Sequence, residues 1–466
     1  MPTPDAGWTL VNPATGEPFL TVEFTRPADL ERLLTRARAV QRQWREVPVA
    51  DRVRIVGAMV PAFRGMAEAV AGEITRQMGK PLGQARAEIE TMIDRAETMG
   101  RLAAAALADE ALPDQAGFRR FIRHEPLGVV LDIAAWNYPL LIAVNVIVPA
   151  LLAGNAVLIK HARLTPLCAD HFVDAFDRTD LPRGLVAAIR LDHEATARLI
   201  RAGRVDHVSF TGSTRGGREI HAHVGGADAG FIDLGLELGG KDPAYVAEDA
   251  DLDFAVENLV DGAFYNAGQS CCAVERIYVA RPLFARFVEA SVALVRRYRM
   301  GDPLDSSTTL GPLATRSGVA VVEEQIAQAR AKGARVLTGG ERWTGPGYFC
   351  PPAVLVDVDH AMALMRDESF GPVIGIMPVA GDDEAVRLMN DSPYGLTASV
   401  WTRDLERAER LAYRVEAGTV YANRCDYLDP MLPWVGVKDS GKGCSLSHLG
   451  FRQLTRPKSF HLRARA

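Results

Sequence analysis

A chain of 466 residues, 48% apolar and 24% charged, is long enough for more than one packed core and has the make-up of an ordinary globular protein. Its formal net charge of -5 comes from acids and bases interspersed along the chain, without the lysine and arginine cluster that nucleic-acid binding calls for. Six scattered cysteines with no CxxC argue against a disulfide framework or a thiolate metal site and point to a reducing compartment, the cytoplasm.

The N-terminal stretch MPTPDAGWTL has neither the basic region nor the apolar run of a secretory signal. The first hundred residues read as helices, since DLERLLTRARAVQRQWREV and VRIVGAMVPAFRGMAEAVAGEITRQMG place Leu and Val at helical spacing with charges opposite. Residues 118–136, FRRFIRHEPLGVVLDIAAW, read as a strand, a Pro-Leu-Gly turn and a second strand. No charge occurs between Asp132 and Lys160, a length that would span a bilayer. Asn137, Pro139, Asn145, Pro149, Gly154 and Asn155 punctuate it, however, and the expectation is strand, buried helix and strand of a parallel sheet. Asn137 stands where it would cap that helix, or donate its amide to a developing oxyanion.

Strands and helices then alternate through AVLIK, HFVDAFDR, VAAIRL, EATARLIRAG, HVSFTGS and RGGREIHAHV, the pattern of a parallel sheet covered on both faces. SFTGSTRGG is a glycine- and hydroxyl-rich strand-to-helix turn that offers backbone N–H groups to phosphate, although it is not GxGxxG. In DLGLELGGKDP (233–243), Glu237 is either a positioned carboxylate base or a solvated acid beside Lys241. That segment opens a second block of alternating elements. LDFAVENLVDGAFYNAG places Leu252, Ala255, Val256, Leu259, Val260, Ala263 and Phe264 on one helical face, with Gly268 as a left-handed cap. Cys271 follows, in a tight link ahead of the strand VERIYVA; by position alone a core cysteine is the commoner reading. The tail RPKSFHLRARA is a short basic strand that pairs with another subunit or with the 118–126 strand.

Taken together, these segments resemble the aldehyde dehydrogenase superfamily over nearly the whole chain and in the same order. GQSC is similar to that family's cysteine signature and LELGGK to its glutamate signature, with Glu237 and Cys271 at the family's interval. WNYPL, FTGST, ESFGPV (368–373), SPYGLTASVWTRD and GTVYAN also look like family segments. The resemblance implies an α/β fold with a Rossmann-like cofactor domain over residues 1–112 and 127–239 and a second α/β catalytic domain over 240–440. A small β hairpin (113–126) and a C-terminal strand (446–466) would then serve oligomerisation, giving a homodimer or homotetramer.

It implies, too, that Cys271 attacks the aldehyde carbonyl while Asn137 and the Cys271 backbone N–H hold the oxyanion. Glu237 would activate the water that hydrolyses the thioester, and would help deprotonate Cys271. The presence of that glutamate favours a free acid over transfer to coenzyme A. An acyl-transferring or thioesterase variant and a non-catalytic structural relative are the alternatives. For the cofactor, NAD(P)+, the resemblance assigns Trp136, Lys160, Thr211, Gly212, Ser213, Glu368 and Phe370. Arg163 stands where NAD-preferring relatives carry a glutamate that repels a 2′-phosphate, so acceptance of NADP+ is expected. His161 replaces a common family proline, and Val146 a common lysine. No metal site is expected, and no membrane or nucleic-acid partner.

Tyr138, Ile142, Asn145, Ser270, Cys272 and Trp434 would line the access tunnel of a small aldehyde; being mostly aromatic or apolar, they lean toward uncharged or aromatic substrates. RCDYLDPMLPW (424–434) departs from the better-known members. Arg424, Asp426 and Asp429 facing the tunnel would fit an amino- or carboxyl-bearing aldehyde, whereas charges facing water are the commoner arrangement.

Overall fold

The computed structural model describes residues 7–226, 228 and 230–464. The first six residues of the N-terminal stretch and the last two of the basic tail lie outside these described residues. Two largely parallel sheets form the frame. One has six strands, in the order Gly441–Lys442, Asp233–Glu237, His207–Thr211, Val129–Ala134, Ala156–His161 and Val186–Ala188. All its neighbours are parallel except the short Gly441–Lys442 edge. The other has seven, in the order Arg335–Thr338, Ala353–Val356, Val373–Val379, Val274–Ala280, Asp242–Val246, Thr397–Trp401 and Thr419–Ala422. Only its Arg335–Thr338 edge is antiparallel.

The uncharged 132–160 stretch is a strand–helix–strand unit, and every residue of its Pro139–Ala153 helix is buried. Pro139 enters at the first turn, where no N–H is needed, and Gly154 at φ 97° supplies the left-handed exit. Each of its buried Leu, Ile and Val side chains contributes about 1.5–3 kcal/mol, enough to hold the helix against the sheet. No single helix among the described residues is long and apolar enough to cross a membrane.

Between residues 49 and 78 the helical stretch breaks into Val49–Gly57, Met59–Arg64 and Ala67–Met78. Pro61 has no N–H to bond back to Gly57, which places the first break. The basic tail takes one of the two partners left open for it. Thr455–Arg463 runs antiparallel to Phe118–Pro126 of the same chain, in register from Thr455↔Pro126 to Arg463↔Phe118. Phe121 and Phe460 stack across that pair with centroids 4.4 Å apart, and Glu110–Ala111 adds a third strand.

A buried ion pair lies beside the buried helix. Lys80 pairs with Glu88, and its ammonium lies 3.9 Å from the centre of the Tyr138 ring. Glu88 also accepts the backbone N–H of Leu140 at 2.9 Å and of Leu141 at 3.4 Å, so it caps the buried helix from a different helix, Leu82–Ala106. This corrects the expectation that Asn137 is the cap: the flanking residue is Tyr138, and no side chain of the helix's own segment caps it. Replacing Lys80 by methionine leaves the Glu88 carboxylate buried without its cation. The expected cost is about 3–5 kcal/mol, read as a lower urea midpoint by tryptophan fluorescence; a cost below about 1 kcal/mol would remove the pair from the account.

Candidate active site

Residues at the C-terminal edge of the six-stranded sheet face residues at the N-terminal edge of the seven-stranded one. Such an edge, at the point where strand order reverses, is where open α/β sheets bind ligands. Asn137 lies just past Val129–Ala134, Thr211 ends His207–Thr211, and Glu237 ends Asp233–Glu237. From the other side come Cys271, ahead of Val274–Ala280, and Phe370, ahead of Val373–Val379.

Two glycines make the approach possible. A β carbon on Gly239 would sit 2.4 Å from the Glu368 carboxylate, and one on Gly240 2.5 Å from the Cys271 carbonyl oxygen. The Gly240 N–H donates to Glu368 at 3.0 Å, and burial, then the nearby Glu275, pushes the Glu368 carboxyl up to about 8. Lys241 is not the solvated partner of Glu237. It is fully buried and donates to Glu275 at 2.6 Å and to the Ser369 hydroxyl at 2.9 Å. Glu275 in turn accepts the N–H groups of Ser369 and Phe370, and so fixes the turn that carries Glu368 and Phe370.

The cysteine link is held under backbone strain. The helix before it ends at Phe264, earlier than the cap expected at Gly268. Three successive residues then turn left-handed, Asn266 (φ 53°), Ala267 (φ 55°) and Gly268 (φ 71°), a conformation that costs non-glycine residues free energy. A hydrogen-bond net compensates. Asn266 Nδ2 donates to the carbonyls of Asn137 (3.0 Å) and Gln269 (3.1 Å), and its own N–H to Gln84 (3.1 Å). Gln269 Nε2 donates to Asn266 O, while its Oε1 accepts the Ala314 N–H. Asn137 Nδ2 gives one bond, at 3.2 Å, to the Gln269 carbonyl; a primary amide has a second N–H to offer. The sequence reading singled out neither Asn266 nor Gln269.

Cys271, Glu237, Asn137 and Thr211 line one cavity of about 270 Å³. All six residues expected in the access tunnel line it too: Tyr138, Ile142, Asn145, Ser270, Cys272 and Trp434. Burial raises the Glu237 carboxyl, opposed by a hydrogen bond from Ser445 and by the charge of Arg95. Cys272 is buried where its neighbour Cys271 is half-buried. Its contact with Cys271 and its burial push it well above the ordinary range, and it donates to Asp426 at 3.1 Å.

Of the three charges in the 424–434 segment, Asp426 faces the cavity, against the commoner expectation. Its carboxyl accepts Ser270 at 2.9 Å as well as Cys272, and burial raises it to about 6. Arg424 and Asp429 are exposed, Arg424 lying over the Tyr427 ring. Arg95, absent from the expected set, also lines the cavity.

The remaining residues expected at the cofactor lie along the same sheet edge. Trp136 meets Phe370 edge-on at 5.5 Å across the cleft. Lys160 is only 8% exposed and, among the described residues, pairs with no acid; burial, then the charge of Arg163, lowers it to about 8. Ser213 caps the Thr214–Val224 helix through the Gly216 N–H, which leaves other first-turn amides pointing outward with Gly212 beside them. Arg163 is exposed and stacks over Phe24 at 5.1 Å, while the Trp8 indole donates to its carbonyl. His161 fills the place of the expected proline by tying its strand to Pro139 O at 3.0 Å; burial lowers its pKa to about 3 and keeps it neutral.

A family model described as the aldehyde dehydrogenase family matches residues 3–460. The chain is 36% identical over 455 residues to the succinate semialdehyde dehydrogenase [NAD(P)+] Sad of Escherichia coli K12, covering 97% of each. It is 37% identical over 453 residues to succinate-semialdehyde dehydrogenase [NADP(+)] 1 of Mycobacterium bovis BCG, covering 96% of this chain and 98% of that one. Among solved structures it is similar to lactaldehyde dehydrogenase from Escherichia coli, with a TM-score of 0.93, 31% identity and 98% and 96% of the two chains covered.

Proposed function

Because this chain belongs to the aldehyde dehydrogenase family, we propose that it oxidises a small aldehyde to the carboxylic acid with NAD(P)+ through Cys271, Glu237 and Asn137. The observation that carries this reading is that the three side chains line one cavity. The Cys271 sulfur adds to the aldehyde carbon. The free N–H of Asn137 and the Cys271 backbone N–H hold the charge that gathers on the oxygen. Bound NAD(P)+ supplies the hydride acceptor. The thioester left on Cys271 is opened by a water whose proton Glu237 takes, and Glu237 also draws the proton from the thiol.

The residues present fit the dinucleotide. Lys160, buried and among the described residues paired with no acid, suits ribose hydroxyls, and the first turn of Thr214–Val224 with Thr211 and Gly212 suits the pyrophosphate. Glu368 would take the nicotinamide ribose, with Trp136 and Phe370 beside the ring. The protein is read as cytoplasmic and as a homo-oligomer assembled through the sheet that contains Thr455–Arg463. The test is reduced-nicotinamide absorbance with aldehyde and no coenzyme A. Its appearance supports the reading; formation only with coenzyme A, or none, turns it toward an acyl-transferring or a non-catalytic relative.

Cofactor choice rests on Arg163, whose guanidinium lies over the Phe24 and Trp8 rings and, among the described residues, pairs with no acid, so that it can meet a 2′-phosphate. NADP+ is therefore expected to serve at least as well as NAD+. Arg163→Glu should lower kcat/KM for NADP+ by about 10- to 100-fold relative to NAD+, the worth of one or two charge-assisted hydrogen bonds. A hundredfold preference for NAD+ in the unmodified enzyme would contradict the assignment.

A further inference from the structure

The cavity beside Cys271 holds a cation that has no part in the steps above beyond its charge on Glu237. Arg95 comes from the Leu82–Ala106 helix, on the face it shares with Gln84, Glu88 and Thr91, and lines the cavity with Cys271, Cys272 and Glu237. It is 4% exposed. Its Nη1 donates to Leu141 O at 3.3 Å and to Asn145 Oδ1 at 3.2 Å, both neutral acceptors. Its Nε is buried with no acceptor, and among the described residues Nη2 makes no hydrogen bond and no carboxylate lies within ion-pair distance. The acids nearby are engaged elsewhere: Glu88 by Lys80 and two backbone amides, Glu237 by Ser445, Asp426 by Ser270 and Cys272.

A buried cation without an anion is costly, and breaking such a pair is worth several kcal/mol. The unpartnered groups of Arg95 are the adjacent Nε and Nη2, whose N–H bonds run side by side. That pair is the fork a carboxylate fills with two parallel hydrogen bonds.

We propose that Arg95 anchors a carboxylate at the far end of the substrate, so that the preferred aldehyde is a short chain carrying a terminal carboxyl group. The proposal rests on Cys271 as the attacking atom, since the aldehyde carbon must reach that sulfur while the carboxylate meets Arg95 in the same cavity. It replaces the lean toward uncharged or aromatic aldehydes read from the tunnel residues. Asp426 opposes it least where it is protonated, and burial together with its two donors keeps it a weak competitor for Arg95.

The test compares kcat/KM for succinate semialdehyde and for butanal, which has the same chain length without the carboxylate. The unmodified enzyme should favour the semialdehyde by about 100-fold, the usual loss when one partner of a buried charge pair is missing. Arg95→Gln should lower that ratio by a similar factor, chiefly through KM, and Arg95→Lys should recover part of it. A ratio near one in the unmodified enzyme, or one unmoved in Arg95→Gln, overturns the proposal while leaving the Cys271 reading intact; no oxidation of any aldehyde strikes at Cys271 itself. A second measurement does not depend on the variants folding. In the unmodified protein, succinate should slow alkylation of Cys271 by iodoacetamide at concentrations where butyramide does not; equal effects overturn the anchor.

Discussion

Replacing Cys271 by alanine is expected to abolish aldehyde oxidation, a fall in kcat of about 10,000-fold or more, because no other group in the cavity can form the acyl intermediate. Cys272, the neighbouring thiol, does not rescue it. That sulfur is buried, donates a hydrogen bond to Asp426, and is held well above the range in which a thiolate forms at neutral pH. The substitution removes one atom from the link and leaves the Asn266–Gln269 hydrogen bonds in place, so circular dichroism and the urea midpoint should not move. Loss of activity with loss of fold would say nothing of chemistry. A folded Cys271→Ala protein that still produces reduced nicotinamide at the normal rate would overturn the assignment.

The second large effect belongs to Glu237. With Glu237→Gln, water has no base, and the thioester outlives its formation. The expected trace is a burst of reduced nicotinamide of about one equivalent per active site, followed by turnover slowed by about 100- to 10,000-fold. Its pH dependence follows from burial. Glu237 acts only when ionised, and its carboxyl lies above the ordinary range. Hydrolysis in the unmodified enzyme should therefore rise with pH through a limb displaced upward from that of a free carboxylic acid, and the Gln variant should lose that limb. A variant with full steady-state rate and no burst would take the base role from Glu237.

Much of this site was legible because its chemistry sits in contiguous motifs. Asn137, Glu237 and Cys271 each end or precede a strand whose pattern is plain, and the strand–helix–strand reading of 132–160 follows from its punctuation. The parts that escaped are those set by residues far apart in the chain. Glu88 caps a helix about fifty positions away, which no local capping rule can find, whereas such a rule selects Asn137 only because it stands next to the helix. Lys241, close to Glu237 in sequence, pairs instead with Glu275 from the next strand. The end of the helix before Cys271 was misplaced because Asn266 and Ala267 adopt a left-handed turn that sequence assigns to glycine. Arg95 lies in the helix Leu82–Ala106, which carries no motif that marks a site, and Asp426 in a loop whose charges divide between water and cavity.

The central claim is that the sulfur of Cys271 carries the acyl group. The most direct measurement is to quench the Glu237→Gln enzyme in acid during turnover with aldehyde and NAD(P)+, then to locate the added acyl mass by peptide fragmentation. Acyl on Cys271, in proportion to the burst, is the predicted result. Acyl on Cys272 or elsewhere, or reduced nicotinamide formed with no acyl-enzyme, would contradict it.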